Sequence, residues 1–195
     1  MENTPLIYTE RLVLRKFNEQ DVAALFSILK DAEVNQFLPM FPLKTLDEAQ
    51  SFLQKQYLST YQKPQGFRYA VCFKTDQIPI GYLNISDNGS FDMGYGLAKK
   101  YWNQGIITEA GAAAVKTFKK AGLPFLTATH DIKNPASGAV MKKIGMTYQY
   151  SYQELWQPKN RLVTFRMYQL NITAPKNYVY QKYWNQSAVH FVECL

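Results

Sequence analysis

The chain has 195 residues, of which 47% are hydrophobic and 19% charged, a balance typical of one globular domain. No apolar run approaches the roughly 20 residues that a membrane-spanning helix needs, which excludes a helical membrane protein. The net charge of +7 is uneven, because residues 1–98 carry 9 Lys and Arg against 11 Asp and Glu, whereas residues 99–195 carry 13 against 4. The basic second half indicates an anionic partner, either a nucleic acid or a phosphorylated cofactor.

Cysteine usage bears on metal binding and compartment. Cys72 and Cys194 form neither a CxxC pair nor a cluster with histidine, so we expect no metal site and no disulfide framework. This usage fits a reducing cytoplasm, and the first 15 residues lack the basic and apolar regions of a signal peptide. We therefore expect a cytoplasmic protein that does not interact with membranes.

The first half of the chain is predicted to combine helices with an antiparallel meander. Asn18 is suited to cap one helix, and Thr45 opens a capping box that ends at Glu48. Polar turns separate three later apolar segments, the pattern of strands joined as hairpins. We predict helices over residues 19–29 and 45–61, and strands over residues 12–17, 67–73, 80–85 and 91–97.

The second half is predicted to alternate strands and helices. Gly105 precedes a helix that Gly122 ends, and Asn134 with Pro135 begins a shorter helix that ends at Gly145. We predict strands over residues 123–129, 148–155 and 163–170, and a helix in the tail over residues 178–192. This order predicts an α+β domain with helices on the faces of a sheet.

The segment LAKKYWNQGIITEA, residues 97–110, carries the first functional signal. A strand leads through a turn containing Gly105 into a helix whose first N–H groups have no partner within the helix. Such a turn can hold a phosphate or pyrophosphate. It is neither a Walker A loop nor a dinucleotide fingerprint, because the required lysine and glycines are absent. Taken alone, the segment also fits a plain helix start.

Three segments together resemble the GNAT acetyltransferase superfamily, in its RimJ/RimL-like (ribosomal-protein-alanine acetyltransferase-like) branch. TERLVLR at residues 9–15 resembles the first strand of that branch. GYGLAKKYWNQGIITEA at residues 94–110 resembles its acetyl-CoA motif, and NPASGAVMKKIGM at residues 134–146 resembles its Asn-x-x-Ser segment. The order and spacing agree across residues 7–171. Trp102 and Ile107 depart from the usual pyrophosphate motif, while Gly105 is kept.

The resemblance implies the fold and its limits. It implies the GNAT fold, with a mixed, mostly antiparallel sheet of six to seven strands, helices on both faces, and splayed fourth and fifth strands. The domain would span residues 1–172. Residues 173–195 would form a C-terminal extension, and its aromatic residues lead us to expect that it is ordered and packed on the domain or on a partner.

The resemblance also implies acetyl-CoA as a cosubstrate. The acetyl group would pass to a primary amine, on a protein N-terminus or a small molecule, by direct attack with both substrates bound. Carried over by position, the residues expected to bind acetyl-CoA are Leu97, Asn103, Gln104, Gly105, Ile106, Ile107, Thr108, Asn134 and Ser137.

Two residues are the predicted catalytic groups. Ser137 matches the family serine that would protonate the leaving thiolate, although a serine in a first helical turn also fits a local hydrogen bond. The sequence does not name the general base. Glu154, on the strand after that helix, is the candidate for a catalytic acid or base, because the branch that the chain resembles tends to carry an acid there, although a surface salt bridge fits it too. His130, Tyr95 and Tyr150 are further candidates, each with a structural alternative.

Two other functions compete with the enzyme. A GNAT-fold module that binds acyl-CoA without turnover would keep the phosphate turn but need no base. A nucleic-acid binder would explain the basic half, but Lys and Arg are not interleaved with aromatics in a recognised motif, so it ranks last. The sequence leaves open a homodimer and does not identify the amine acceptor.

Overall fold

The computed structural model describes residues 2–194. Met1, the first residue of the predicted domain, and Leu195, the last residue of the predicted extension, lie outside the described residues. In this part of the chain, nine strands form two sheets. The first sheet consists of five antiparallel strands in chain order: β1 (Ile7–Tyr8), β2 (Leu12–Arg15), β3 (Phe67–Phe73), β4 (Pro79–Ile85) and β5 (Met93–Leu97). The second is also antiparallel, with the order β6-β8-β7-β9, and comprises β6 (Phe125–Asp131), β7 (Thr147–Trp156), β8 (Arg161–Asn171) and β9 (His190–Phe191).

Six α-helices accompany the sheets within residues 2–194. They are α1 (Val22–Leu29), α2 (Ala32–Asn35), α3 (Leu46–Gln56), α4 (Ile106–Lys120), α5 (Pro135–Lys143) and α6 (Lys182–Gln186). The longest of these has 15 residues, and none is long and apolar enough to cross a bilayer.

The predicted α+β architecture is confirmed, with differences at the edges. The structure divides the strands between two sheets, and the short strands β1 and β9 raise their number above the predicted six to seven. Because β1 precedes the predicted first strand, the predicted fourth and fifth strands are β5 and β6. The predicted tail helix over residues 178–192 was wrong for most of its length, since only α6 is helical and β9 pairs with β7.

Helices cover both faces of the first sheet. On one face, α4 places Ala110 and Ala114 against the strands, and these small residues are fully buried. On the other face, α1 and α3 bury Leu25 and Leu53 against the sheet. Burial of these apolar stripes stabilises the layers by about 25 cal/mol per Å² of apolar surface removed from water.

The two sheets meet at a single point and then separate. The N–H group of Thr127 in β6 donates a hydrogen bond to the carbonyl of Phe91, 3.3 Å away, and Asp92 forms an isolated parallel bridge with Thr127. Beyond this point β5 keeps its ladder with β4, and β6 keeps its ladder with β8. Alternation along an antiparallel ladder turns the backbone groups of Met93, Tyr95 and Leu97 away from β4 and toward the space between the sheets.

Two glycines of the first sheet provide a paired test of how closely β4 and β5 pack. A Cβ added to Gly81 would lie 2.4 Å from the carbonyl oxygen of Gly96, whereas a Cβ on Gly94 would meet no atom within 4 Å. We therefore expect Gly81→Ala to lower the free energy of unfolding by about 1–3 kcal/mol through overpacking. Gly94→Ala, the matched control on β5, is expected to change it by less than about 0.5 kcal/mol. Urea denaturation measures both, and equal values would contradict the packing described.

Candidate active site

The turn between β5 and α4 has the backbone shape needed for an anion. Asn103 and Gly105 both adopt left-handed conformations, with φ of 60° and 72°. Gly105 is the N-cap of α4, and within the described chain no side chain caps this helix. The N–H groups of the first turn are therefore left for another partner. Successive N–H groups in such a turn, at the positive end of a helix dipole, form an anion-binding concavity.

Several side chains of this turn point away from the concavity, so backbone N–H groups form most of its surface. Ile106 and Ile107 are buried in the apolar core, so only their main chain can face a ligand. The side-chain amide of Gln104 donates to the carbonyl of Lys100, 3.0 Å away, and Gln104 does not line the cleft described below. Asn103, Gly105 and Thr108 do line it.

Arg11, which directly precedes β2, contacts this turn through its side chain and was missed by the sequence reasoning. Its guanidinium donates to the carbonyl of Gln104 at 3.2 Å and to the carboxylate of Glu109 at 2.7 Å. Glu109 also accepts a hydrogen bond from Thr9, 2.6 Å away. Burial alone would raise the pKa of Glu109, but hydrogen bonds from Thr9 and Arg11 lower it overall. The acidic charge in the first turn of α4 is thus matched by Arg11, which lies beside the anion turn.

A cleft of about 680 Å³ occupies the space between β5 and β6. Residues of β5, β6, α2, α5 and the start of α4 line it, together with Trp156 and Phe165 of the second sheet. Leu97 lies on its wall, and the carbonyl of Leu97 accepts a hydrogen bond from the indole of Trp102, 2.8 Å away. Trp102, which departs from the usual motif, therefore holds the end of β5.

Ser137 and Tyr95 meet on the α5 side of the cleft. Their hydroxyl oxygens lie 3.0 Å apart, and the hydroxyl of Tyr95 donates to the carbonyl of Ser137 at 2.8 Å. Asn134 caps α5, as predicted, by accepting a hydrogen bond from the N–H of Ser137, and it also lines the cleft. Burial raises the pKa of Tyr95 well above its ordinary value, so its hydroxyl keeps its proton. The pair forms a chain of hydroxyl groups that can pass a proton.

His130 lines the same cleft but has a structural partner. Its Nδ1 lies 2.8 Å from the carbonyl of Asp131, which makes Nδ1 the protonated nitrogen. A Cβ on Gly138 would lie 2.5 Å from Nε2, so α5 packs directly against the ring. Burial lowers the pKa of His130, so the ring is neutral and its buried Nε2 is an acceptor.

Asp92 is one of three carboxylates that line this cleft, and it lies at the point where β5 and β6 part. The other two, Glu33 and Asp131, form ion pairs with Lys99 and Arg161. Its Oδ1 accepts a hydrogen bond from the hydroxyl of Thr127, 3.1 Å away. Burial raises the pKa of Asp92 to about 6, hydrogen bonding from Thr127 and Tyr183 opposes this rise, and the charge of Glu154 adds to it. A carboxylate with this pKa is poised as a base near neutral pH.

Alternation along β5 separates Asp92 from the hydroxyl pair. Tyr95 points toward α5, so two-residue periodicity directs Asp92 and Gly94 to the opposite face of the strand. Gly94 has open space where its side chain would be, and it lines the cleft. The site therefore has a proton donor on one face of β5 and a carboxylate on the other.

The structure places Glu154 and Tyr150 away from this centre. Glu154 lies on β7, is exposed, and is absent from the lining of the cleft, although its charge reaches Asp92. Neighbouring groups nevertheless desolvate its carboxylate in part, which raises the pKa of Glu154. Tyr150 is 2% exposed and donates to the carbonyl of Tyr180 at 2.6 Å, which is a packing role.

The sequence reasoning did not identify Asp92. The only signal was one acidic residue in FDMGYGL, at the start of a strand that follows a polar turn. Its partner Thr127 is 35 residues away in the chain, so the contact that marks Asp92 as part of a site is not visible locally.

Replacing Asp92 is expected to stabilise the protein above neutral pH. The pKa of about 6 in the folded state exceeds the value of about 3.9 in an unfolded chain, so the folded state binds more protons between these values. The free energy of unfolding therefore falls as pH rises through this window, and Asp92→Asn removes the loss.

We expect a gain of about 1–3 kcal/mol for Asp92→Asn at about pH 8, and little gain at about pH 4, in urea denaturation. Asp87→Asn is the control, because the hydrogen bond from Lys63 lowers the pKa of that exposed carboxylate. An Asp92→Asn protein less stable than wild type at about pH 8 would contradict the assignment.

Comparison with known proteins agrees with this geometry. The sequence pattern of the acetyltransferase (GNAT) domain family matches residues 11–147. An uncharacterized N-acetyltransferase of Bacillus subtilis (strain 168), YoaA, is 25% identical over 159 residues, which cover 76% of this chain and 89% of that protein.

Solved structures share the fold. A GNAT-family acetyltransferase from Bacillus anthracis superposes with a TM-score of 0.75 at 25% identity, covering 86% of this chain and 98% of that one. RimL, a ribosomal L7/L12 alpha-N-protein acetyltransferase solved with coenzyme A, has a TM-score of 0.76 at 20% identity, covering 88% of this chain and 100% of its own. The likeness to RimL supports the predicted resemblance to the RimJ/RimL-like branch at the level of the fold. Because the family pattern matches residues 11–147, which is more than half of the chain, this chain belongs to the GNAT acetyltransferase family and is an N-acetyltransferase.

Proposed function

We propose that this enzyme transfers the acetyl group of acetyl-CoA to a primary amine by direct attack, with both substrates held in the cleft between β5 and β6. The observation that carries this proposal is that β5 and β6 separate next to two kinds of group, a pair of hydroxyls that could donate a proton and a carboxylate that could accept one. Ser137 and Tyr95 lie on one face of β5, and Asp92 faces the other. A thioester placed between them would be approached by the amine from the side of Asp92.

The residues present suit coenzyme A. The left-handed Gly105 and the uncapped first turn of α4 offer N–H groups for a pyrophosphate. The backbone groups that β5 turns away from β4 can hydrogen-bond an extended amide-containing arm in the manner of an added strand. Lys143 and Asn134 line the same cleft and would face the cofactor from α5. These residues also account for part of the basic charge in the second half of the chain.

Asp92 would take up the proton that the acceptor must lose. A primary ammonium has a pKa of about 10, so the amine must be deprotonated before its lone pair is available. The raised pKa of Asp92 makes its carboxylate basic enough to remove that proton, directly or through one water. Glu154 would act through Asp92, because its negative charge contributes to that raised pKa.

Ser137 would supply the proton to the leaving sulfur. Bound acetyl-CoA supplies an acetyl thioester, whose C–S bond breaks as the new C–N bond forms. The hydroxyl of Ser137 is 3.0 Å from that of Tyr95, which is protonated at neutral pH and would pass its proton to Ser137 as Ser137 gives one up. The ammonium nitrogen loses two protons in all: Asp92 would take the first before attack, and the second, lost as the amide forms, would replace the proton that the hydroxyl pair gives to sulfur. Asp92 would then release its proton to solvent, so the reaction balances without an acyl-enzyme.

The acceptor is proposed as a primary amine, on a small molecule or a protein N-terminus. RimL is described as acting on the N-terminus of ribosomal protein L7/L12, which supports the second class. The structure supports the first, because Lys159 in the β7–β8 turn donates to the carbonyl of Asn35 in α2, 2.5 Å away. Glu33 and Val34 of α2 and Trp156 of β7 line the cleft, so a contact that joins these two segments would narrow the path for a long chain.

Binding of acetyl-CoA can be tested with two glycines at opposite ends of α4. Gly105 and Gly122 both have left-handed φ values, 72° and 73°, so glutamate causes similar backbone strain at either position. Only at Gly105 would the new side chain place a negative charge at the anion turn. By calorimetry we expect micromolar binding to the wild type, retained binding to Gly122→Glu, and at least about a hundredfold weaker binding to Gly105→Glu. Equal affinities of the two variants would contradict the pyrophosphate turn.

The two catalytic roles predict different losses of activity. We expect Asp92→Asn to lower kcat by about 10²–10⁴-fold for an amine acceptor, and Ser137→Ala by about 10–10²-fold because Tyr95 remains. Both should retain micromolar binding of acetyl-CoA, since neither change touches the anion turn. Steady-state kinetics with thiol detection measures the rates. Bound acetyl-CoA with no turnover by the wild type, over a panel of small amines and N-terminal peptides, would favour a binding module instead.

A further inference from the structure

Strand alternation divides the residues that line the cleft between two sides. Tyr95 of β5 and His130 of β6 both contact α5. Thr129 and Asp131 are the neighbours of His130 along β6, so they point to the opposite side, which Asp92 shares. Because α5 carries the proposed proton donor to the leaving sulfur, the amine would approach from this opposite side, the acceptor side.

An aromatic wall, formed by Trp156 of β7 and Phe165 of β8, borders the acceptor side. Both residues line the cleft, and their ring centroids lie 5.0 Å apart. The ring of Tyr152 stacks on Phe165 with a centroid distance of 5.5 Å, which holds Phe165 in place. Phe165 is 3% exposed, whereas Trp156 is only half-buried and can therefore offer part of its ring to a ligand.

A further aromatic ring comes from the segment that follows α2. Phe37 is half-buried and lines the cleft, whereas its neighbour Leu38 packs against the core beneath α1 and α3. Lys159, in the turn that follows β7, donates to the carbonyl of Asn35 at the end of α2. This contact ties the segment that carries Phe37 to the hairpin that carries Trp156. Aromatic rings from separate elements therefore border the same side of the cleft.

The carboxylates of the cleft differ in their ion pairs. Glu33 and Asp131 are paired with Lys99 and Arg161. Among residues 2–194, no ion pair engages Asp92. A carboxylate without a cationic partner attracts an ammonium group, with which it can form a charge-assisted hydrogen bond. The acceptor side thus combines a carboxylate for an amine with aromatic rings for its body.

The register of β6 gives the separation between that carboxylate and the aromatic wall. Asp92 accepts a hydrogen bond from Thr127, and Asp131, four residues further along β6, is paired with Phe165. At about 3.4 Å per residue, these positions are about 14 Å apart along the strand. Thr129 lies between them on the same face and lines the cleft. An aromatic ring joined to an amine by a short aliphatic chain fits this space, because the side chains at both ends occupy part of it.

We propose that the acceptor is a small primary amine that carries an aromatic ring, with the ring held by Phe37 and Trp156 and the amino group presented to Asp92. Aromatic rings pack edge-to-face or offset, and such pairs add stability beyond the burial of apolar surface. The inference rests on the proposed function, because it names the acceptor class of the same site. The transfer itself is unchanged: the C–N bond forms, the C–S bond breaks, and CoA leaves as the thiol.

Turnover by the wild-type enzyme tests the acceptor class. Phenylethylamine carries a ring, and methoxyethylamine is a primary amine of similar size of chain without one. A short peptide with a free N-terminus and no aromatic residue represents the other acceptor class. With saturating acetyl-CoA, we expect kcat/KM for phenylethylamine to exceed that for the other two by at least about tenfold. Equal values for the two amines, or a higher value for the peptide, would overturn the inference.

Two variants on different elements test the ring site. We expect Phe37→Ala and Trp156→Ala to lower kcat/KM, through KM, by at least about tenfold more for phenylethylamine than for methoxyethylamine. Trp156→Phe keeps a ring and should recover most of the loss. Leu155→Ala is the matched control, because Leu155 adjoins Trp156 on β7, points to the opposite face of the sheet and is 53% exposed. It should change neither value.

A binding measurement separates this inference from the proposed function. Phenylethylamine is titrated by calorimetry into enzyme saturated with CoA, which has no acetyl group to transfer. We expect binding to the wild type that Phe37→Ala and Trp156→Ala both weaken. Such binding without acetylation of any amine would support the ring site and reject the proposed function. Acetylation of both amines at rates that neither the ring nor the two variants alter would support the proposed function and overturn the inference.

Discussion

The contact between Thr127 and the start of β5 is the constraint on which the site depends. Through its backbone and its hydroxyl, Thr127 bonds to Phe91, Ser90 and Asp92. These bonds join the two sheets at one end only, because β5 and β6 continue with ladders to different neighbours. Backbone groups that a continuous sheet would have paired are therefore available to a ligand. The same contact holds Asp92 at the mouth of the opening.

The anion turn and the reacting centre are set by the two ends of β5. Its first end is fixed by Thr127, and its last end by the indole of Trp102 on the carbonyl of Leu97. The chain then turns through Gly105 into α4, which packs its small residues on the same sheet. A rigid strand about five residues long thus sets the separation between the N–H groups for a pyrophosphate and the groups proposed for proton transfer.

The sequence predicted those parts of the molecule that local rules govern. The left-handed glycine before α4, the Asn134 cap of α5 and most strands follow from turn chemistry and periodicity over a few residues. Asp92 could not be identified in this way, because its hydrogen-bond partner Thr127 is remote in sequence. Glu154 had the expected strand but an uncertain register, and a shift of one residue reverses the face on which a side chain lies. The tail was predicted as a longer helix, but contacts of its aromatic rings with β7 and β8 decide its path.

The basicity of the site is consequently a property of the tertiary fold. Burial at the strand junction and the charge of Glu154 raise the pKa of Asp92, while the hydroxyls of Thr127 and Tyr183 lower it. These opposing groups come from three separate elements, β6, β7 and α6. Without the hydroxyls, the carboxylate would stay protonated to higher pH and could not accept a proton. Without burial and Glu154, it would ionise easily but remove a proton from an ammonium poorly. If Asp92 is the base that we propose, its basicity near neutral pH would thus depend on tertiary contacts at the strand junction and not on the local sequence.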